Sequence, residues 1–154
     1  KDNHIIGISW FTENKAVSQK RNIDLLQLIK TIPYKKVTFI NLQYGNFEKD
    51  VEKVIAKLGA KFLNTKDICN YSEIDDLLTL ISFCDKVVSI DNSTVHLSGS
   101  IGKDTRVILP YSADWRWGVE SKKSYWYKNI HLYRQKNPFD WEVPLAELKK
   151  DLQN

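Results

Sequence analysis

The sequence is poor in cysteine and has no long apolar run. Its 154 residues include two cysteines, Cys69 and Cys84, which lie in no C-x-x-C or Cys/His spacing typical of a metal site. One pair in a chain of this size does not indicate a disulfide framework, so we expect two reduced, buried thiols. No stretch approaches the ~20 apolar residues that cross a bilayer, and we therefore expect no transmembrane segment.

Two common nucleotide-binding patterns and an export signal are also missing. No G-x-G-x-x-G follows the first predicted strand, and the P-loop pattern G-x-x-x-x-G-K-[ST] does not occur. These absences disfavour an NAD-dependent enzyme and a P-loop NTPase. The first ten residues lack the apolar segment and cleavage site of a signal peptide. We therefore expect a cytoplasmic protein, either free or peripheral to the inner membrane.

The positive charge is modest and dispersed, whereas aromatic residues are concentrated. Lysine and arginine number 23 against 19 acids, a net charge of +4 without a long basic run. This suits an anionic small ligand and does not indicate nucleic-acid binding. Four of the five tryptophans fall in the last third of the chain: Trp115, Trp117, Trp126 and Trp141. Rings at this density predict either a self-packed loop or a surface that covers a ligand.

Apolar runs of strand type alternate with segments of helical period. This alternation predicts an α/β fold, a Rossmann-like doubly wound parallel sheet of five or six strands. The predicted strands are His4–Trp10, Lys36–Gln43, Ala60–Asn64, Lys86–Asp91, Thr105–Pro110 and Asn129–Arg134. The predicted helices are Ile23–Ile32, Phe47–Leu58, Ile74–Cys84, Thr94–Ile101 and Val143–Leu152. Without repeats or a linker, residues 1–154 are expected to form a single domain.

The strongest candidate site follows the apolar strand VVSI. Ligands of open parallel sheets bind beyond the carboxyl ends of the strands, where Asp91 stands in this sequence. Asn92, Ser93 and Thr94 then supply side chains that cap a helix. The free N–H groups and positive dipole of such a helix start bind phosphate oxygens. His96, on the first turn, is placed to donate a hydrogen bond to the same phosphates.

A purely structural alternative for this segment stays open at the level of residue types. Ser93 and Thr94 could only cap the helix, and His96 could be a buried imidazole with its hydrogen bonds satisfied. Ser98 and Gly99 are small, which favours close packing of the helix in either case.

The loop after the first strand is a second candidate. Ser9 and Trp10 end that strand, and Lys15 and Arg21 follow within the loop. Cations beside a diphosphate offset its charge, and an arginine can engage two oxygens at once. The alternative is a solvated basic loop.

Two further segments offer contacts for a nucleoside or sugar. Glu73 precedes a predicted helix, where its carboxylate could accept from ribose hydroxyls, although acids near a helix start are stabilised in any case. Asp114 and Trp115 lie in the aromatic loop, residues 110–127, where an exposed ring could stack on a base or sugar. The alternative there is a loop anchored by its own aromatic residues.

Taken together, these motifs resemble the carboxy-terminal half of family 9 glycosyltransferases, which are related to the heptosyltransferases. The branch most similar is the one found behind tetratricopeptide repeats in bacteria. The resemblance extends from Ile5 to about Trp141, and D-x-S-x-x-H-L-x-G is its most specific pattern. The segments that carry it are ISW, VVSIDNSTVHLSGSIGK, ILPYSADWRW, SYWY and HLYRQ.

The resemblance implies a GT-B architecture whose carboxy-terminal domain binds a nucleotide-diphosphate sugar without a metal ion or another cofactor. The implied diphosphate contacts are Asp91, Asn92, Ser93, Thr94 and His96, together with Lys15 or Arg21. The implied nucleoside or sugar contacts are Ser9, Trp10, Glu73, Asp114 and Trp115. The acceptor domain and the catalytic base are expected in an amino-terminal half absent from this chain, so no catalytic residue is assigned.

Two other classes of protein are alternatives to a donor-binding domain. The first is a non-catalytic nucleotide- or protein-binding module that uses the aromatic loop as its contact surface. The second, a phosphoacceptor receiver domain, is disfavoured because the first strand ends in Ser9-Trp10 instead of paired acids.

Overall fold

A computed structural model describes residues 4–43, 45–63, 65 and 74–153. Its strands are β1 (His4–Ser9), β2 (Val37–Asn41), β3 (Lys61–Phe62), β4 (Lys86–Ile90), β5 (Thr105–Leu109) and β6 (Ile130–Arg134). Its helices are α1 (Ser18–Arg21), α2 (Leu25–Thr31), α3 (Glu48–Leu58), α4 (Ile74–Phe83), α5 (Ser93–Ser100) and α6 (Glu142–Gln153). Short 3₁₀ turns cover Tyr34–Lys36 and Trp115–Trp117. None of the described helices is long and apolar enough to cross a membrane.

The six strands form one parallel sheet in the order β3-β2-β1-β4-β5-β6. The chain builds outward from β1 to β3 and then returns to place β4 on the other side of β1. The strand order therefore reverses between β1 and β4, where an open α/β sheet forms its ligand crevice. The Rossmann-like fold predicted from the sequence is confirmed. As their apolar sequences predict, β4 and β5 are almost fully buried.

Helices cover both faces of the sheet and define separate cores. On one face, Leu28 and Ile29 of α2 pack with Val54 of α3 and Leu148 of α6. On the other face, α4 buries Leu80 and Ile81 against β2 and β4, and α5 buries Val95 beside Trp117. The face that carries α5 therefore also carries the aromatic loop.

Helix ends are set by capping side chains and by glycine. The Asp24 side chain caps α2 by accepting from the Gln27 N–H, and Gly59 ends α3 in the left-handed conformation, with φ 63°. The sequence did not predict α1, because its single turn of polar residues, SQKR, has no apolar period. Strand β3 is shorter than predicted, since it pairs over only two residues with β2 at the sheet edge.

Cys84 behaves as the sequence predicts. Its side chain is buried and free, and burial raises the pKa of the thiol to about 12. It is therefore a small core residue. Cys69 lies outside the described residues.

An ion-pair network ties α6 to the amino-terminal edge of the sheet. The buried Arg106 of β5 bonds the carboxylate of Asp104, and its Nε lies 2.5 Å from Asp151 Oδ2 on α6. Burial alone would raise the pKa of Asp151, but hydrogen bonds from Arg106 and Tyr133 outweigh it and hold that pKa below its ordinary 3.8. This edge is opposite the carboxyl ends of the strands, so its role is structural.

Candidate functional site

A cleft of about 330 Å³ opens at the carboxyl ends of β1, β2 and β4. This is the point at which the strand order reverses, and where ligands of doubly wound sheets bind. Its lining combines the loop after β1, a residue just beyond the end of β2 and the start of α5: Phe11, Thr12, Glu13, Arg21, Gln43, Asn92, Ser93 and Thr94.

The start of α5 forms one wall of the cleft. Asn92 is its N-cap: the side-chain oxygen accepts from the Thr94 N–H at 3.1 Å and from the Ser89 hydroxyl at 3.1 Å. The Asn92 Nδ2 donates to Ser9 Oγ at 2.8 Å, which joins the ends of β4 and β1. The predicted helix start is thereby confirmed. The exposed Ser93 is the first residue of the helix, where backbone N–H groups have no partner within the helix.

Arg21 brings a positive charge to the cleft. It is paired with Asp91, which does not line the cleft. Arg21 Nη1 donates to the Asp91 carbonyl oxygen at 3.0 Å, and Nη2 lies 3.0 Å from Asp91 Oδ2. The second contact is an ion pair whose N–H direction misses the geometry of a hydrogen bond. Asp91 is 2% exposed and does not line the cleft, so its carboxylate faces Arg21. Lys15, the other candidate cation, is exposed and also lies outside the lining.

Gln43 is a buried lining residue that the sequence analysis missed. Its Oε1 accepts from the backbone N–H groups of Trp10 at 2.9 Å and Phe11 at 2.8 Å, and from the Ser9 hydroxyl at 3.1 Å. Its Nε2 donates to the Phe11 carbonyl at 2.9 Å. These bonds fix the path of the chain as it leaves β1. The available signal was a polar residue directly after the apolar run of β2, at the same sheet edge as Ser9.

The structure places Ser9 and Trp10 beneath the cleft. Ser9 is fully buried between Gln43 and Asn92, and the Trp10 ring packs in the core against Phe47, with ring centroids 5.6 Å apart. The cleft is lined instead by Phe11, the next residue. The centroids of the Phe11 and Phe47 rings are 4.9 Å apart.

His96 lies next to the aromatic loop, one turn into α5. Its ring stacks on the buried Trp117 with centroids 5.4 Å apart, and its Nδ1 lies 3.1 Å from the Tyr127 hydroxyl. Burial, and then the nearby charge of Arg116, lowers the pKa of His96. The imidazole is therefore neutral at neutral pH. It does not line the cleft itself.

The aromatic loop holds two exposed rings on an ordered frame. Asp114 caps the 3₁₀ turn by accepting from the Arg116 N–H at 3.1 Å, and Trp117 anchors the turn in the core. Trp115 is 73% exposed and Trp126 is 61% exposed, and their rings meet edge-on at 6.1 Å. Asp114 and Trp115 thus lie outside the cleft lining, on the side of α5 that His96 occupies.

Comparison with solved structures identifies the architecture. A glycosyl transferase family 9 protein from Veillonella parvula superposes with a TM-score of 0.63 at 11% identity, over 98% of this chain and 44% of that one. The chain therefore shares its fold with less than half of that glycosyl transferase. The ADP-heptose LPS heptosyltransferase II of E. coli gives a TM-score of 0.54 at 13% identity, over 97% of this chain and 46% of that enzyme. The fold implied by the family 9 resemblance is confirmed.

The relative found by sequence comparison is distant. No protein-family model matches the sequence. Protein FlbA of Caulobacter vibrioides is 23% identical over 150 residues, which is 97% of this chain and 25% of FlbA. The chain therefore spans a quarter of that relative and less than half of each solved glycosyltransferase. The association with tetratricopeptide repeats stays a prediction.

Two expectations lie outside these observations. Glu73 is not among the described residues, so its contact with a nucleoside stays a prediction. The second is binding without a metal ion or another cofactor, which also stays a prediction. Within the described ranges, no three His, Cys, Asp or Glu side chains are grouped closely enough to hold a metal ion.

Proposed function

We propose that this chain is the donor-binding part of a GT-B glycosyltransferase and holds a nucleotide-diphosphate sugar in the cleft between β1 and β4. The observation that carries the proposal is that a helix N-terminus and the Arg21 guanidinium line the same cleft at the reversal of strand order. Two glycosyltransferases share the fold, and the name of one specifies ADP-heptose. The proposed location is the cytoplasm.

The proposed diphosphate site needs donors that its own structure leaves free. A guanidinium has five N–H donors, and Arg21 directs one at the Asp91 carbonyl and one towards its carboxylate. The Thr94 N–H is taken by the Asn92 side chain, so the remaining guanidinium donors and the Ser93 N–H are those available to phosphate oxygens. Three or more such donors and the helix dipole would supply the positive charge that a metal ion supplies in other sites, so we propose binding without a metal.

The same groups would assist glycosyl transfer. As the bond between sugar and diphosphate breaks, negative charge grows on the departing phosphate. Fixed donors placed beforehand around that charge stabilise the transition state more than the ground state. Arg21 is fixed in this sense, because Asp91 and its own short helix hold it in place.

The acceptor and the catalytic base are assigned to a second, amino-terminal domain. This chain matches only 44% and 46% of the two solved glycosyltransferases, which leaves more than half of each outside the shared fold. We propose that residues 1–154 bind the donor alone and transfer sugar only together with that domain.

Calorimetric titration with ADP, GDP and UDP in EDTA tests this function, with the monophosphates as controls. We expect one diphosphate to bind and its monophosphate to bind much more weakly, because the second phosphate adds negative charge opposite Arg21 and the start of α5. No binding of any diphosphate to the folded chain would refute donor binding by this part alone. Binding only when Mg²⁺ is added would refute metal independence.

A pair of variants isolates Arg21 without leaving the buried Asp91 carboxylate unpaired. Asp91→Asn keeps the shape of the carboxylate, and the double variant Asp91→Asn/Arg21→Gln then removes the guanidinium. We expect at least a tenfold lower diphosphate affinity in the double variant than in Asp91→Asn, since charged hydrogen bonds contribute about 1.5 kcal/mol or more. Lys20→Gln removes a neighbouring cation that does not line the cleft and should change affinity little.

A non-catalytic interaction module is the second candidate, and the exposed Trp115 and Trp126 favour it. Large rings exposed on an ordered loop mark contact surfaces. Trp115→Ala distinguishes the two readings. A loss of nucleotide affinity would place Trp115 in the donor site, whereas unchanged affinity with lost binding to another protein would assign the loop to an interaction surface.

A further inference from the structure

Tyr127 makes a contact that donor binding alone does not require. It lies 31 residues beyond His96, and its hydroxyl oxygen is 3.1 Å from His96 Nδ1. Its ring reaches that position by crossing α5 at Gly99, where a Cβ atom would lie 2.6 Å from Tyr127 Cγ. Glycine three residues after the histidine is therefore what lets the tyrosine approach the imidazole. This gives a physical reason for the spacing H-L-S-G in the sequence.

Two aromatic side chains fix the orientation of the imidazole. Trp117 stacks on one face with an interplanar angle of 22°, and Tyr127 meets the ring at 61°. Trp117 is itself completely buried. The ring of His96 is therefore held by packing on one side and by a hydrogen bond at Nδ1.

The chemistry of the two partners decides which ring nitrogen carries the proton. A neutral imidazole has one N–H donor and one acceptor nitrogen. A phenol hydroxyl donates more strongly than it accepts, so the favoured arrangement is Tyr127 O–H donating to Nδ1. The proton of the imidazole then resides on Nε2. No residue in the described part of the chain hydrogen-bonds Nε2, and this atom is not among the buried atoms without a partner, so it is open to solvent and to a ligand.

We propose that Tyr127 is a positioning residue for His96, holding it in the Nε2–H tautomer so that this group donates to the bound donor where it extends past the cleft lining, one turn along α5 from Ser93. The ligand part of this proposal rests on the proposed function. The charged groups that act on the ring are Arg116, Asp91 and Asp114, and burial with Arg116 keeps the imidazole neutral.

The tautomer can be measured without any ligand. Long-range ¹H–¹⁵N correlation spectra of the wild-type protein at neutral pH should show His96 as a single Nε2–H tautomer. Tyr127→Phe keeps the ring over Gly99 and removes only the hydroxyl, and we expect it to give a mixture of both tautomers. Tyr125→Phe, an exposed tyrosine of the same loop, should leave the spectrum unchanged. An Nδ1–H tautomer in the wild type, or no change in Tyr127→Phe, would overturn the proposal.

Ligand binding supplies the second readout. If a mixture halves the productive tautomer, Tyr127→Phe should weaken the diphosphate that binds the wild type by about twofold or more. In a His96→Ala background the same change should have no effect, because Tyr127 acts through the imidazole. An equal loss in both backgrounds would overturn the positioning role. If the wild type binds no diphosphate, the proposed function fails, and the tautomer spectra still decide the Tyr127 contact.

Discussion

Arg21 and Asp91 form an ion pair, 3.0 Å between Nη2 and Oδ2, that joins the loop after β1 to the end of β4. The carboxylate is 2% exposed, and the side chain of Arg21 is 19% exposed. Removing one partner of such a pair leaves an uncompensated charge that water cannot reach well. The pair therefore contributes to folding as well as to the proposed site.

Arg21→Gln is expected to destabilise the fold by about 3 kcal/mol, because the Asp91 carboxylate loses its counter-charge. Urea unfolding measures the change. Adding Asp91→Asn should restore most of the loss, since no buried charge then remains. A loss in the double variant as large as the two single losses combined would show that the residues do not act as a pair.

Asn92→Asp separates helix capping from anion binding. Aspartate caps a helix about as well as asparagine, and the Ser9 hydroxyl, which accepts from Asn92 Nδ2, can donate to the new carboxylate instead. The added charge also favours the helix N-terminus, so stability should change by less than about 1 kcal/mol. The new carboxylate stands beside the proposed phosphate site, where we expect diphosphate affinity to fall by about tenfold or more. Unfolding curves and calorimetric titration of the same sample provide both readouts.

Asn92→Ala is the matched comparison for that variant. It removes the cap and the bond to Ser9 without adding charge. Stability should fall by about 1 kcal/mol, and diphosphate affinity should fall less than in Asn92→Asp. The reverse order of affinities would argue against an anion at the start of α5.

The sheet and the start of α5 were predictable because their signals are local. Continuous apolar residues in β4 and β5 predict strands covered on both faces, and Asn92 directly after such a strand predicts a helix cap. Arg21 lines the cleft and Lys15 does not, because α1 directs Arg21 towards it. That single turn is held by long-range contacts with Asp91, which no local pattern reveals.

The environments of individual side chains were harder to predict for the same reason. Trp10 and Phe11 are adjacent aromatic residues, yet one packs in the core and the other lines the cleft. Their alternation depends on where β1 ends, which Gln43 fixes from 33 residues away. The hydrogen-bond partner of His96 is likewise distant in sequence: it is Tyr127, which lies between β5 and β6.

Gly99→Ala tests the close approach of Tyr127 to α5. Alanine favours a helix by about 1 kcal/mol over glycine, but the added Cβ would lie 2.6 Å from Tyr127 Cγ. Overpacking of this kind costs about 1–3 kcal/mol, so we expect a net loss of about 1 kcal/mol in urea unfolding. Ser100→Ala, on an exposed position of the same helix, should be neutral or slightly stabilising. Stabilisation by Gly99→Ala would mean that the tyrosine yields at little cost.

The carboxylates of Asp104 and Asp151 should make the fold sensitive to acid. Burial alone would raise both pKa values, but hydrogen bonds from Lys86 to Asp104 and from Arg106 to Asp151 outweigh it, and both lie below their ordinary 3.8. A carboxylate whose pKa is lower in the folded state stabilises the fold above its unfolded pKa. That stabilisation is lost as the pH falls through the folded pKa, below ~4.

Asp151→Asn should therefore lower stability at neutral pH by about 1 kcal/mol, the low end for a charged hydrogen bond because its side chain is 37% exposed. The difference from wild type should shrink as the pH falls below ~4, where the wild-type carboxylate becomes protonated. Urea unfolding across that pH range measures both effects. Glu147→Gln, on the same helix with a contact to Lys122 at only 3.9 Å, should track the wild type. A difference independent of pH would show that Asp151 acts through packing and not through its charge.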